Sequence, residues 1–321
     1  MFHVKRLAII SLTPQAARCI VSIMDIFSAP HFRDDEAARK FLEGLLWPEG
    51  PVCPHCGVLG HAYETKRAGV YRCAEKECRK DFTVTMKTVM ERSHIALHKW
   101  LQGFHLMASS KKGISAHQLH RSLDITYRSA WFMAHRIREA MRAGGLAPMG
   151  GAGSVVEADE TFIGRKESSI KRRGHGHKNA VLSLVDRESK QVRSFHVDGT
   201  SVPIIKANVA KGTAMMTDEG GHYFTLGDHF ASHESVSHKA DEYVRGSVHT
   251  NTVEGYYSIF KRGMKGVYQH CSEANLHRYL SECDFRYSNR IKLGIDDKER
   301  TSRAIKGAEG KRLTYRCPNP T

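Results

Sequence analysis

The sequence predicts an α/β protein in which a cysteine-containing region and a small helical region precede a mixed-sheet domain. Two close cysteine pairs lie between residues 53 and 78, and apolar residues recur with helical spacing between residues 98 and 142. After a Gly/Pro/Ala linker at 143–153, apolar strands come first and helices later, with one βα crossover. That order indicates a mixed sheet. A chain of 321 residues also exceeds what one core usually organises.

Basic residues outnumber acidic ones, with 49 Lys and Arg against 34 Asp and Glu, a net charge of +15. Such an excess favours a polyanionic partner, because counterion release and long-range attraction both strengthen binding to nucleic acid. No apolar stretch approaches the roughly 18 to 20 residues that a membrane span needs. The composition therefore predicts a soluble protein with a nucleic-acid partner, and the four cysteines scattered outside the close pairs favour a reducing cytoplasm over a disulfide-rich secreted protein.

Five segments are expected along the chain. Residues 1–27 are interpreted as an N-terminal extension, which leaves Met1 and Met24 as the two candidate start positions. A helix over 34–47 opens a domain at 28–95, and Pro48 ends that helix. A helix-turn-helix-like domain at 96–145, a catalytic domain at 154–292 and a basic C-terminal tail at 293–321 complete the prediction.

Four cysteines have the spacing of a zinc ribbon. Cys53 and Cys56 form one pair, Cys73 and Cys78 the other, and 16 residues separate the pairs. Each pair can bring two thiolates to one tetrahedral Zn²⁺, and four protein ligands leave no position open for water. We therefore expect a structural zinc ion.

Residues 115 to 142 have the pattern of a helix-turn-helix, with a tight turn at 123–125 and Thr126 as the N-cap of the longer helix. The sequence places Arg128, Arg136 and Arg138 on the outer face of that helix, where they would reach DNA. Any basic three-helix bundle would show a similar pattern. A purely structural role for these helices is therefore an open alternative to DNA binding.

Carboxylates follow two of the apolar strands. Asp159 is expected at the end of the strand in VVEADETFIG, and Asp218 at the end of the strand in GTAMMTD. Glu254 opens an amphipathic helix, and Lys261 lies two turns further along the same face. Hard oxygen ligands of this kind suit Mg²⁺ in phosphoryl transfer. Glu157 shares the face of Asp159 whereas Glu160 does not, and both are expected to have supporting or surface roles.

These motifs resemble the DDE transposases of bacterial insertion sequences, in the group with an N-terminal zinc ribbon and a ribonuclease-H-like catalytic domain. The resemblance runs from about Phe27 to Arg290, in the segments LWPEGPVCPHCG, YRCAEKECRKDFTVTMKTVME, ADETFIG, HTNTVEGYYSIFKRGMKGVYQH and LHRYLSECDFRY. It implies that Asp159, Asp218 and Glu254 are the acidic triad and that Lys261 is its basic companion. Some relatives have Asn at the third position, so Asn251 is an open alternative to Glu254.

The resemblance also implies the cofactors and partners. The triad would hold two Mg²⁺ or Mn²⁺ ions, and the enzyme would cut the ends of its element and join them to target DNA. We expect further DNA contacts from the basic loop with Lys171, Arg172 and Arg173, and from Arg262. Transposition requires that the two ends of the element are held together. The resemblance therefore implies a homodimer or larger assembly on DNA. A bacterial, cytoplasmic and nucleoid-associated location is expected.

Two other functions are compatible with parts of the sequence. One is a DNA-binding regulator made of the zinc ribbon and the helix-turn-helix, with an inactive transposase-derived domain. The other is a ribonuclease-H-like nuclease without strand transfer. An intact acidic triad disfavours the regulator, because a binding module has no use for carboxylates at strand ends.

Overall fold

The computed structural model describes residues 27–167, 169–171, 173–218, 220–236 and 244–314, and it describes residues 221 and 222 by their backbone alone. The expected extension at 1–27, including both candidate start positions, lies almost entirely outside the described residues. Two compact units divide the chain. One holds the residues up to Val84 together with His94–Gln102, and the other holds Thr85–Ser93 and the chain from Gly103 onward.

The first unit contains a helix and a three-stranded antiparallel sheet. Helix α1 (Asp35–Leu46) begins where the Asp34 carboxylate accepts the backbone N–H of Ala37 at 2.7 Å. This confirms the helix expected at 34–47. The sheet consists of β1 (Ala62–Glu64), β2 (Tyr71–Cys73) and β3 (Asp81–Phe82), in the order β1-β2-β3.

Three helices occupy the segment between the two sheets, as the periodicity predicts. They are α2 (Leu97–Ser109), α3 (Ala116–Leu123) and α4 (Tyr127–Met141). Asp124 ends α3 in the left-handed region, with φ of 47°. Thr126 then caps α4, because its hydroxyl oxygen accepts the backbone N–H of Ser129 at 3.2 Å.

A five-stranded mixed sheet forms the centre of the second unit, with the strand order β6-β5-β4-β7-β8. Strand β4 pairs antiparallel with β5 and parallel with β7. The antiparallel and parallel pairings confirm the mixed sheet and the α/β fold class that the sequence predicts. The strands are β4 (Val155–Ile163), β5 (Asn179–Asp186), β6 (Val192–Val197), β7 (Ala214–Thr217) and β8 (Ser232–Ser235), and a separate hairpin joins β9 (Val244–Arg245) to β10 (Val248–His249).

Each face of this sheet carries its own apolar layer. Val156 and Ala158 of β4 pack in the layer that contains Ile205 from helix α5 (Val202–Asn208). On the opposite face, Val181 and Val185 pack against α6 (Asn251–Gly263) and α7 (Leu276–Ser288). The period of two along each strand explains this division, since neighbouring side chains point to opposite faces. Glu157 and Asp159 therefore lie on the face that α6 covers.

The expected C-terminal tail contains a further helix, α8 (Asp297–Lys306), which buries Ala304 and Ile305 completely. Asp296 caps this helix by accepting the backbone N–H of Glu299 at 2.7 Å. Residues 315–321 lie outside the described part of the chain. Within that described part, we find no helix with the length and apolar character needed to cross a membrane.

Candidate active site and cysteine cluster

The pairing of β4 with β7 places Asp159 beside Asp218. The parallel register pairs Ala158 with Thr217, Asp159 is the next residue of β4, and Asp218 directly follows the end of β7. Asp159 is not at the end of β4, as the sequence suggested, because β4 continues to Ile163 by pairing with β5. It lies instead where the parallel ladder to β7 stops. The two acidic residues thus occupy equivalent positions on neighbouring segments of the sheet.

The pKa of Asp159 reflects the negative charges of the carboxylates near it. The pKa of Asp159 is raised to about 7, first by burial and then by the negative charge of Asp218. Glu254 raises this pKa further, whereas Lys261 and the hydrogen bond from the backbone N–H of Glu160 lower it. The charges of Asp218, Glu254 and Lys261 therefore all act on Asp159. Asp218 itself accepts the backbone N–H of Gly220 at 3.1 Å.

Helix α6 supplies the third carboxylate and the lysine. Glu254 lies in the first turn of α6, where the hydroxyl of Thr250 donates to Glu254 Oε1 at 3.2 Å. Lys261 lies in the last turn, with Nζ 5.8 Å from the ring centroid of Tyr257. Asn251, the open alternative to Glu254, is the first residue of the helix and is exposed.

Glu157 holds the beginning of α6 against β4. Its side chain is completely buried and accepts the backbone N–H groups of Thr252 and Val253 at 2.8 and 2.9 Å. Arg187 Nε donates to the same carboxylate at 2.6 Å, which neutralises the buried charge. A supporting or surface role for Glu157 is expected from the sequence, but its contact with α6 is not. The available signal was an acidic residue inside an apolar strand, two residues before Asp159.

Tyr257 fixes the backbone of β4 at the site. Its hydroxyl lies 2.5 Å from the carbonyl oxygen of Asp159 and 3.2 Å from that of Val181, and it donates to them. Burial raises the pKa of Tyr257 well above its usual value, so the hydroxyl keeps its proton. The sequence does not indicate this role of Tyr257, because an aromatic residue on the inner face of an amphipathic helix predicts only packing.

The donor set fits divalent cations that prefer oxygen ligands. The negative charges of Asp218 and Glu254 both raise the pKa of Asp159, so like charges repel one another around this aspartate. Hard ions such as Mg²⁺ are bound by carboxylates and would relieve that repulsion. An arrangement of this kind can support metal-assisted phosphoryl transfer.

The four cysteines of the predicted zinc ribbon converge in the first unit. Their sulfur atoms all lie within 4.8 Å of one another. The distance between Sγ atoms is 3.7 Å for Cys53 and Cys78, and 3.6 Å for Cys56 and Cys73. Four thiolates at such distances form the donor set of a closed, tetrahedral Zn²⁺ site. The zinc ribbon predicted from the sequence is confirmed in this part of the chain.

The arginines of α4 differ in exposure. Arg128 is exposed, whereas Arg136 is half-buried and donates to the carbonyl oxygens of Leu313 and Glu91. Arg138 is not on the outer face, contrary to the sequence prediction. Its guanidinium is 3% exposed and forms an ion pair with fully buried Glu282, with Nε 2.7 Å from Oε2.

The other predicted DNA contacts lie on loops and on α6. Lys171 and Arg173 are exposed, and Arg172 lies outside the described residues. Arg262 is exposed and donates to the backbone oxygen and hydroxyl of Ser258. This contact holds its guanidinium on the outer surface of α6.

Comparison with known proteins gives two matches to protein families. Residues 150–288 match the family model of the ISXO2-like transposase domain, and residues 33–81 match that of the transposase zinc-ribbon domain. The first match contains all four residues of the catalytic set. The second contains all four cysteines.

The chain is also similar to a curated relative and to a solved structure. An uncharacterised protein in the transposable element ISH50 of Halobacterium salinarum is 26% identical over 279 residues, which are 79% of this chain and 91% of the relative. A chain in the cryo-electron microscopy structure of the simian T-cell lymphotropic virus intasome with the PP2A regulatory subunit B56 gamma has a TM-score of 0.27 and 15% identity. That alignment covers 52% of this chain and 67% of the other.

Proposed function

Because the chain belongs to the transposases that join a transposase zinc-ribbon domain to an ISXO2-like transposase domain, we propose that it cuts DNA at the ends of its insertion sequence and joins them to target DNA. Asp159, Asp218 and Glu254 are the catalytic carboxylates in this proposal. The observation that supports it is the place of Asp159 beside Asp218 in the parallel β4–β7 register, where the negative charges of Asp218 and Glu254 both raise the pKa of Asp159.

Two Mg²⁺ or Mn²⁺ ions are the cofactors that this donor set suits. When bound, the ions would activate the attacking oxygen and neutralise charge on the phosphoryl group and the leaving oxygen. A water or a 3′-hydroxyl attacks phosphorus, and the bond to the departing 3′-oxygen breaks. One site then serves both strand cleavage and strand transfer.

The surrounding residues keep the site in place. Glu157 positions the beginning of α6 and therefore Glu254, and Tyr257 holds the backbone of Asp159. Lys261 is placed to contact a phosphate as a point charge, since its charge already acts on Asp159.

Recognition of the element ends is assigned mainly to residues 28–142. The zinc ribbon, Arg128 and Arg136 would contact end DNA there. In the catalytic domain, Lys171, Arg172, Arg173 and Arg262 would contact the DNA near the reacting strand. The protein acts on two DNA ends, so we propose a homodimer or larger assembly on DNA, in the bacterial cytoplasm and close to the nucleoid.

Cleavage and joining of an oligonucleotide that carries the element's terminal repeat will test the assignment. Asp159→Asn, Asp218→Asn and Glu254→Gln should each abolish both reactions while DNA binding persists. Asn251→Ala should keep appreciable activity, and Glu309→Gln, an exposed acidic residue elsewhere, should behave as the wild-type protein does. Full activity of Glu254→Gln combined with an inactive Asn251→Ala would move the third ligand to Asn251.

A further inference from the structure

A cavity of about 710 Å³ opens next to the catalytic carboxylates. Glu160 and Lys261 line it, and these residues adjoin the site because Glu160 follows Asp159 and the charge of Lys261 acts on Asp159. Its volume lies within the range of about 300 to 1,000 Å³ found for small-molecule sites. A double helix is far too wide for it, whereas a single nucleotide fits.

Two stacked rings form one part of the cavity lining. Phe162 of β4 and His175 of the following loop have ring centroids 4.6 Å apart and an interplanar angle of 6°. His175 is exposed, so part of this stack contacts solvent. Flat aromatic surfaces of this kind stack on unpaired bases and tolerate any base, because every base has a π-face.

Positive charge surrounds the same cavity. Lys178, Lys261 and Lys265 line it, against the single carboxylate of Glu160. Three lysines around a space of nucleotide size suit the phosphates on either side of one nucleotide. The arrangement therefore favours a strand of nucleic acid over a neutral ligand.

Asn179 adds an unsatisfied hydrogen-bond acceptor. The residue is 2% exposed and lines the cavity, and its Oδ1 atom has no hydrogen-bond partner among the described residues. A buried amide oxygen without a partner is costly, and a ligand N–H would satisfy it. Nucleobases carry such donors on the edges that pair in a duplex.

We propose that this cavity binds one unpaired nucleotide of the DNA strand beside the phosphate that reacts. The base stacks on the rings of Phe162 and His175 and donates to Asn179 Oδ1, while the lysines contact its phosphates. This inference rests on the proposed function, because it places the nucleotide next to the proposed catalytic carboxylates.

Photo-crosslinking of the full-length protein will test the proposal. The probe is a duplex with a short single-stranded 3′ overhang containing one 5-iodo-2′-deoxyuridine, used without added Mg²⁺ or Mn²⁺ so that nothing is cut. Irradiation should join the probe to the peptide with Phe162 or to the peptide with His175, as mapped by mass spectrometry. A blunt duplex with the same base in its middle should give much less of this product.

Three variants separate a binding role from a structural one. His175→Ala should weaken crosslinking at Phe162 about 5- to 150-fold, the range for losing one base-stacking contact. Asn179→Leu should weaken it about 2- to 10-fold without loss of protein stability, since it removes an unsatisfied buried amide. Lys178→Glu should weaken crosslinking, whereas Lys298→Glu, an exposed lysine with the same change in charge, should not.

Crosslinks that map only outside the cavity, or that all three variants leave unchanged, would overturn the proposal. DNA cleavage with Mg²⁺ is measured separately on the wild-type protein. Cleavage without a crosslink in the cavity leaves the proposed function standing and removes the nucleotide site. Crosslinking in the cavity without cleavage supports the nucleotide site and contradicts the proposed function.

Discussion

Glu157 and Thr252 are 95 residues apart in the chain, yet one carboxylate accepts both the backbone N–H and the hydroxyl of Thr252, at 2.8 and 2.7 Å. The same contact fixes the beginning of α6 and therefore the position of Glu254, which lies two residues further along this helix. A negative charge at this end of a helix is also favoured by the helix dipole. The contact therefore links the strand that carries Asp159 to the helix that carries Glu254.

Replacing Glu157 should weaken both the fold and the catalytic site. Glu157→Gln removes one partner of a buried ion pair and should lower the free energy of unfolding by about 3 to 5 kcal/mol. Urea denaturation will measure this change. Strand cleavage, measured at a temperature where the variant is folded, should fall mainly in kcat, because Glu254 loses its position while DNA binding persists.

Glu188→Gln is the matched control, since Glu188 is an exposed acidic residue on the neighbouring turn. Its free energy of unfolding should stay within about 0.5 kcal/mol of the wild-type value. Equal effects of the two substitutions would contradict the role given to Glu157.

Divalent cations should stabilise the protein through the catalytic carboxylates. Mg²⁺ at one hundred times its dissociation constant should add about 2.7 kcal/mol to the free energy of unfolding, because it binds the folded state. Asp159→Asn should respond much less, and Glu309→Gln should respond as the wild-type protein does. Denaturation with and without Mg²⁺ will measure both. An undiminished response of Asp159→Asn would exclude Asp159 as a ligand.

Asp284 should make stability depend on pH. Burial raises its pKa to about 6 from the usual value of 3.8, although hydrogen bonds from Tyr256 and Ser194 lower it. A raised pKa means that the folded state holds the proton more tightly, so stability falls as pH rises from about 4 through 6. Relative to Asp284→Asn, the wild-type protein should lose up to about 3 kcal/mol between pH 4 and pH 7. Urea denaturation across this range will test it, and a pH-independent difference would refute it.

The cysteine cluster should hold one zinc ion that supports the first unit. Cys73→Ser should lower the bound zinc measured by elemental analysis and should destabilise the zinc ribbon, because zinc binding contributes directly to folding. Cys283→Ser replaces a buried cysteine far from the cluster in sequence and should leave the zinc content unchanged. Loss of zinc from both variants would point to general unfolding instead.

Substitutions of Arg138 and Arg128 should have different effects although both residues belong to α4. Arg138 should matter for stability, and Arg128 for DNA binding. Arg138→Met should lower the free energy of unfolding by up to about 3 to 5 kcal/mol, because buried Glu282 would lose the nearer of its two arginine partners and keep Arg286 at 3.6 Å. Arg128→Ala should change stability by less than about 0.5 kcal/mol. It should instead reduce the salt dependence of end-DNA binding by about one phosphate contact. Denaturation and binding titrations over a range of salt concentrations will distinguish the two.

Local patterns were sufficient to predict the elements that carry the site. The apolar runs around Asp159 and Asp218 predict strands, and the amphipathic pattern after Thr250 predicts the helix with Glu254. The cysteine spacing likewise predicts the metal cluster. Each of these features depends on residues close together in the chain.

Contacts between distant segments could not be predicted in this way. The burial of Arg138 depends on Glu282, and the role of Glu157 depends on Thr252 and Val253, each from a later part of the chain. A charged residue at such a position has the same local pattern whether it faces solvent or a partner. The extension of β4 beyond Asp159 likewise depends on pairing with β5.

The place of β4 in the sheet affects how the protein is made. Ribosomes produce β4 first, but its parallel neighbour β7 and the helix that Glu157 anchors are produced later. At about 5 to 20 residues per second, the 95 residues between Glu157 and Thr252 take roughly 5 to 20 seconds to synthesise. Until then Asp159 lies apart from Asp218 and Glu254, so under the proposed function a growing chain should cut DNA only after most of its catalytic domain has left the ribosome.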